Sequence, residues 1–300
     1  MSRILVSFSA AVSKSRRDET INFIKPQSST PRKIDTMSPS TETSAILSHL
    51  HSTDGSATFS QNGYTIIGAV NGPIEVQRRD ELPEEAAIDA IVRPAAGVGS
   101  TRERHLESII ERTLRQIILI GNFPRTLIQV TLQVTSTPPD ETATSKSIQT
   151  SSVFLSHSTP VITWSNIFPL QTLPILPALL QTAILALLSA AIPLSTSLTA
   201  TFLAISEKGK ILQNPSLLET QTAQSIHVLA FTSHAEPLVI ESQGSFTPAQ
   251  WDEVFFQAEK ICCGSADPDA MVDEGEEGGM MQFIQTVVEE KVDKDMAWRT

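Results

Sequence analysis

Apolar positions recur along this chain in three rhythms, and each predicts a different element. Leu106, Ile109, Ile110, Leu114, Ile117 and Ile118 return at helical spacing, which predicts an amphipathic helix over residues 100–120. Ser100 or Thr101 is placed to cap it, Glu103 sits in its first turn, and Gly121 is suited to end it. Glu107, Glu111, Arg112 and Arg115 are expected on its solvent side. Leu127, Ile128, Val130, Leu132 and Val134 fit a strand over 126–135. The almost unbroken apolar run 175–191 reads as a helix buried on all sides.

Shorter segments fill in the order. Residues 56–60 and 65–76 read as two strands joined at Gln61-Asn62-Gly63, because an Asn-Gly pair tolerates the positive φ of a tight hairpin. Residues 87–93 form another short strand. Residues 197–206 with 210–212, and 226–232 with 238–242, read as strand pairs. Thr247-Pro248 opens a helix reaching residue 261, and a short helix is expected near 281–292. On that helix Trp251, Phe255 and Phe256 are expected in the core. The alternation of strands and helices predicts an α+β fold with helices packed on mixed sheets.

Three regions break these rhythms. Residues 1–51 are rich in Ser, Thr, Lys and Arg and read as a disordered N-terminal extension, with folded sequence starting near Asp54. Arg3, Lys14, Arg16 and Arg17 resemble a transit peptide; a true start at Met37 is the competing reading. Residues 136–170 read as a Ser/Thr-rich insertion holding one strand near 160–164. Residues 265–300 read as an acidic C-terminal tail. The folded domain is therefore placed at 52–264.

Charge narrows the function classes. The net charge of −11 is at odds with a freestanding nucleic-acid binder, so any RNA contact has to come from a local cluster within a larger surface. The stretch 173–194 is interrupted by Pro174, Pro177 and Pro193 and reads as a buried helix, not a membrane span. Cys262 and Cys263 are adjacent and lack ligand-like Cys/His spacing, so they read as reduced thiols and not as a metal site. No Gly-rich phosphate loop or other cofactor pattern is present.

A set of short motifs then falls into a recognisable order. Asp54-Gly55-Ser56-Ala57, Gly63-Tyr64-Thr65, Gly72-Pro73-Ile74-Glu75-Val76, Arg102-Glu103-Arg104-His105-Leu106-Glu107, Phe123-Pro124-Arg125-Thr126-Leu127-Ile128 and Ala191-Ile192-Pro193 together resemble an RNase PH-like domain. Val70-Asn71-Gly72-Pro73-Ile74-Glu75-Val76-Gln77-Arg78-Arg79 and Arg93-Pro94-Ala95-Ala96-Gly97 bring it nearest to the fungal exosome form of that family. The resemblance implies a ribosomal-protein-S5-domain-2-like fold and a place in the hetero-hexameric ring of the eukaryotic RNA exosome. Its partners would be other RNase PH-like subunits, an S1/KH cap and single-stranded RNA, in the nucleus, nucleolus and cytoplasm.

The resemblance also says where chemistry would sit. Active relatives carry a glycine–serine/threonine–arginine motif after the strand matching 126–135; here the sequence runs Ser136-Thr137-Pro138-Pro139-Asp140. Their catalytic aspartates correspond to Thr220 and Ser225, hydroxyls that cannot replace a carboxylate near neutral pH. No catalytic residue is therefore assigned, and the chain is expected to lack enzyme activity. Arg78, Arg79, Arg93, Arg102 and Arg104 are the expected RNA contacts, acting on phosphates without reading sequence. Acids beside Arg78 and Arg79 give a competing reading as internal ion pairs. Arg125 is assigned a structural or interface role.

Overall fold

The computed structural model describes residues 43–138, 173–264 and 279–299. The expected strand at 160–164 and most of the Ser/Thr-rich stretch lie outside these residues.

Two sheets organise the fold. The first is built from β1 (Ser44–Leu47), β2 (Gly55–Gln61), β3 (Tyr64–Glu75), β4 (Ala87–Arg93) and β5 (Thr126–Ser136), in the order β1-β2-β3-β5-β4. All its pairings are antiparallel except β4 with β5. The parallel step exists because α1 (Thr101–Ile117) crosses between those two strands. The second sheet has the order β7-β6-β8-β9, with β6 at Leu198–Ser206, β7 at Ile211–Gln213, β8 at Ala223–Thr232 and β9 at Pro237–Gly244.

Beyond α1, the α-helices of the described residues are α2 (Leu176–Ser189), α3 (Leu217–Thr222), α4 (Pro248–Cys263) and α5 (Met280–Met296). α2 fills the space between the sheets. It touches β2 and β3 on one side and β6 on the other, and all but one of its residues are buried. Only small residues permit this approach. A Cβ at Gly55 would lie 2.4 Å from the Ala190 amide nitrogen, and one at Gly68 would lie 2.8 Å from Thr182 Cγ2. The two central strands of the second sheet, β6 and β8, are buried on both faces. Ala200, Phe202 and Ala204 join the main core, while Leu203, Ile205, Leu229 and Phe231 pack with Val254, Ala258 and Cys262 of α4. β6 accordingly does not alternate apolar with charged positions, and even its Thr199 and Thr201 are buried.

Several expectations need correction. Structure begins before Asp54, since β1 pairs Ser44 with Ser60 through Leu47 with Ala57. The segment 265–300 is not all outside the domain. Met281 and Ile284 of α5 are buried, and Phe283 meets Phe59 edge-on at 6.5 Å. α3 was not expected at all. Its signal is a capping box, in which Ser216 and Glu219 satisfy each other's backbone amides. α1 ends at Ile117 rather than at Gly121, because Ile118 turns extended to bridge with Leu194. Phe256 is 68% exposed, whereas Trp251 and Phe255 do pack against the α4 core.

Candidate nucleic-acid interface

The candidate surface lies where β4 meets α1. Arg93 is the last residue of β4 and stands opposite Gln133 of β5, whose Nε2 donates to the Pro94 carbonyl at 3.0 Å. The chain then turns into α1, capped by Ser100. The Ser100 side chain accepts from the Arg102 amide, and Glu103 Oε2 accepts from the Ser100 amide at 2.6 Å. This box fixes the first turn, from which Arg102 and Arg104 project. Burial alone would raise the Glu103 pKa; the hydrogen bonds from Ser100 outweigh it and hold the carboxyl below its usual range.

Glu107 departs from expectation. It is buried, not on the solvent side, and its Oε1 accepts from the Val92 amide at 2.9 Å. Its other oxygen accepts from Arg104 Nη1, also at 2.9 Å. α1 is thereby pinned to the end of the strand that carries Arg93.

Arg78 and Arg79 lie elsewhere. They occupy the turn after β3, and β3 pairs Glu75 with Thr126 while β4 pairs Ala87 with Leu127. Arg93 is at the far end of β4, about 20 Å along a strand of this length. The five arginines therefore form two groups, not one. In the first, Arg79 Nε donates to Asp80 at 3.2 Å. Arg125 is nearby in the fold, with φ of 61°, and its Nε lies 3.4 Å from Glu81. Its amide donates to the Leu82 carbonyl, which fits a structural role.

The positions expected to match catalytic groups are committed to local structure. Pro138, past the end of β5, packs on Gly63 with its Cγ 3.2 Å from where a Cβ would be. Thr220 is buried and donates to the Ser216 carbonyl at 2.9 Å. Ser225 is buried, with its Oγ 2.9 Å from His227 Nε2. His227 Nδ1 pairs in turn with Ser242 Oγ at 2.9 Å, and its ring lies against Phe246 and Trp251. Burial lowers the pKa of this imidazole from 6.5 to about 4. No sequence motif marks this Ser–His–Ser chain: Ser225 and His227 share β8, but the exposed Ser242 joins them only through the β8–β9 register, which sets it opposite His227. Burial pushes the Cys262 thiol up to about 12, so it is a poor nucleophile. Among the described residues no metal-binding cluster occurs, and no helix is long and apolar enough to cross a membrane.

Residues 41–193 match the 3′ exoribonuclease family, domain 1, and the chain belongs to this RNase PH family. Within it, the chain is similar to exosome complex component RRP46 of Saccharomyces cerevisiae, 30% identical over 224 residues, covering 72% of this chain and 87% of the yeast protein. It is also similar to the protein named exosome complex exonuclease RRP46 homolog of Oryza sativa, 36% identical over 80 residues, or 27% of this chain and 34% of that one. The crystal structure of rice Rrp46 superposes with a TM-score of 0.61 at 21% identity, covering 82% of this chain and 94% of the rice chain. That likeness confirms the α+β RNase PH fold.

Proposed function

We propose that this chain is a non-catalytic ring subunit of the eukaryotic RNA exosome, supporting 3′–5′ RNA processing and decay through assembly and RNA guidance. The observation that carries the reading is the likeness to a yeast exosome component across 87% of that protein's length. The processes would be ribosomal RNA maturation, RNA surveillance and messenger RNA turnover, in the nucleus, nucleolus and cytoplasm. The partners would be related RNase PH-like subunits, an S1/KH cap and single-stranded RNA. Arg93, Arg102 and Arg104 would meet the RNA backbone at one end of β4, with Arg78 and Arg79 as a separate contact.

The absence of catalysis rests on chemistry. Phosphorolysis needs a cradle for phosphate and an acid for the departing 3′ end. The chain after β5 offers neither the glycine nor the arginine of the first, and Thr220 and Ser225 stand where the acids would be. A second reading, an active phosphate-dependent exoribonuclease, is favoured by the word exonuclease in the rice relative's name.

One experiment separates them. The purified chain, alone and co-expressed with the other ring subunits, is incubated with RNA labelled along its whole length and inorganic phosphate. The ring reading expects a stoichiometric complex and no nucleoside diphosphate from the chain alone. Phosphate-dependent shortening by the isolated chain establishes the second reading instead.

A further inference from the structure

Glu107 is a carboxylate on the buried face of α1, among Leu106, Ile110 and Leu114. Its side chain is 12% exposed, whereas that of its partner Arg104 is 83% exposed. The acid cannot swing away, because burial and the Val92 amide hold it. Arg104 can turn, and among the described residues only its Nη1 is engaged, which leaves its other donors to face another anion.

We propose that Glu107 is a built-in competitor for Arg104: a fixed carboxylate that an RNA phosphate has to share or displace, which weakens the hold of this arginine on RNA. The inference rests on the reading of Arg104 as an RNA contact. Two effects of the ion pair oppose each other. Holding the guanidinium in place prepares it for a phosphate, but one bond restrains a long, exposed arginine side chain only weakly. The negative charge, by contrast, acts on any phosphate that reaches Arg104. At roughly 7 Å in a water-like dielectric it reduces affinity about threefold, so repulsion dominates. Glu107 thus makes this contact deliberately loose, as suits a polymer that has to slide past.

The test uses the assembled ring and a fluorescent single-stranded oligouridine. Glu107→Gln keeps an acceptor for the Val92 amide while removing the charge. RNA binding is expected to tighten about threefold, and the slope of log affinity against log salt to steepen by up to ~0.7. Both changes are expected to vanish when Arg104→Ala is already present. Unchanged or weaker binding overturns the proposal, and so does an equal gain in the Arg104→Ala ring. If Arg104→Ala alone alters neither affinity nor slope, the RNA-contact reading of Arg104 falls and the proposal falls with it. Should Glu107→Gln fail to assemble, Arg104→Ala in the otherwise unaltered ring decides. Competition then predicts a loss of slope of about half the full single-strand increment, and loss of the full ~0.7 overturns it.

Discussion

Lys291 Nζ donates to the carbonyl oxygen of Ser189 at 2.9 Å, joining the last helix to the last turn of the buried one. Ser189 Oγ also lies 2.9 Å from Ser48 Oγ and accepts from the Ser56 amide at 3.4 Å. A cation at the C-terminus of α2 meets both its unpaired carbonyl and the negative end of the helix dipole. The same point therefore ties α5, α2 and the β1–β2 connection together.

Replacing that lysine with methionine keeps the aliphatic stem and removes the charge. Lys291→Met is expected to cost about 1–2 kcal/mol, read in urea unfolding, and to lower Tm by roughly 3–6 °C. An unchanged midpoint would mean that the contact adds nothing to stability.

His227 makes stability depend on pH. Its folded pKa of about 4 lies below the ordinary 6.5 because burial disfavours the imidazolium. Between these values the unfolded chain binds a proton that the folded chain does not, so stability rises with pH through this window. It is complete above about pH 6.5 and falls on acidification, by no more than about 3 kcal/mol at pH 4. His227→Gln can still bond both serines. The difference between wild-type and variant stabilities, measured from pH 7 to 4.5, is expected to shrink as pH falls; a constant difference would exclude the linkage.

Gly55 and Gly99 form a matched pair of substitutions. A Cβ at Gly55 meets Ala190 N at 2.4 Å and Ala186 O at 2.5 Å, while nothing lies within 4 Å at Gly99. Gly55→Ala is expected to destabilise the fold by about 3 kcal/mol by pushing α2 off the first sheet. Gly99→Ala is expected to stay within about 0.5 kcal/mol of wild type. Thermal unfolding of the two variants compares them directly, and equal effects would refute the close approach.

The Ser100 cap supports both the start of α1 and the arginines on it. Ser100→Ala is expected to cost about 1 kcal/mol and to speed amide exchange in the first turn. RNA crosslinking to the assembled ring should drop modestly as Arg102 and Arg104 lose their fixed origin. Crosslinking that fell without faster exchange would point to a direct role for the Ser100 hydroxyl.

Much of the fold was legible because its elements are periodic and well punctuated. The hairpin at Asn62-Gly63 shows it, with φ of 53° and 79°, as does the Thr247 cap followed by Pro248. β1 was not legible: four residues in a Ser/Thr-rich setting become a strand only because β2 offers an edge. Glu107 was misread because charge normally marks a solvent face, and only β4 reveals an amide waiting for it. The candidate surface was half legible. Arg93, Arg102 and Arg104 are neighbours through one loop, but the separation of Arg78 and Arg79 from them depends on the order and direction of the strands, with β4 parallel to β5 and running away from the turn that ends β3. No local pattern encodes that order.

The match to domain 1 of the family stops at residue 193, just past α2, yet Gln181 of that helix donates to the Ala200 carbonyl of β6 at 2.9 Å. The edge of that one match is therefore not a seam in the packing. A fragment trimmed at the likeness would leave a greasy rod with one flank bare to water. Anyone shortening this polypeptide for expression has to carry the second sheet along, or expect precipitate.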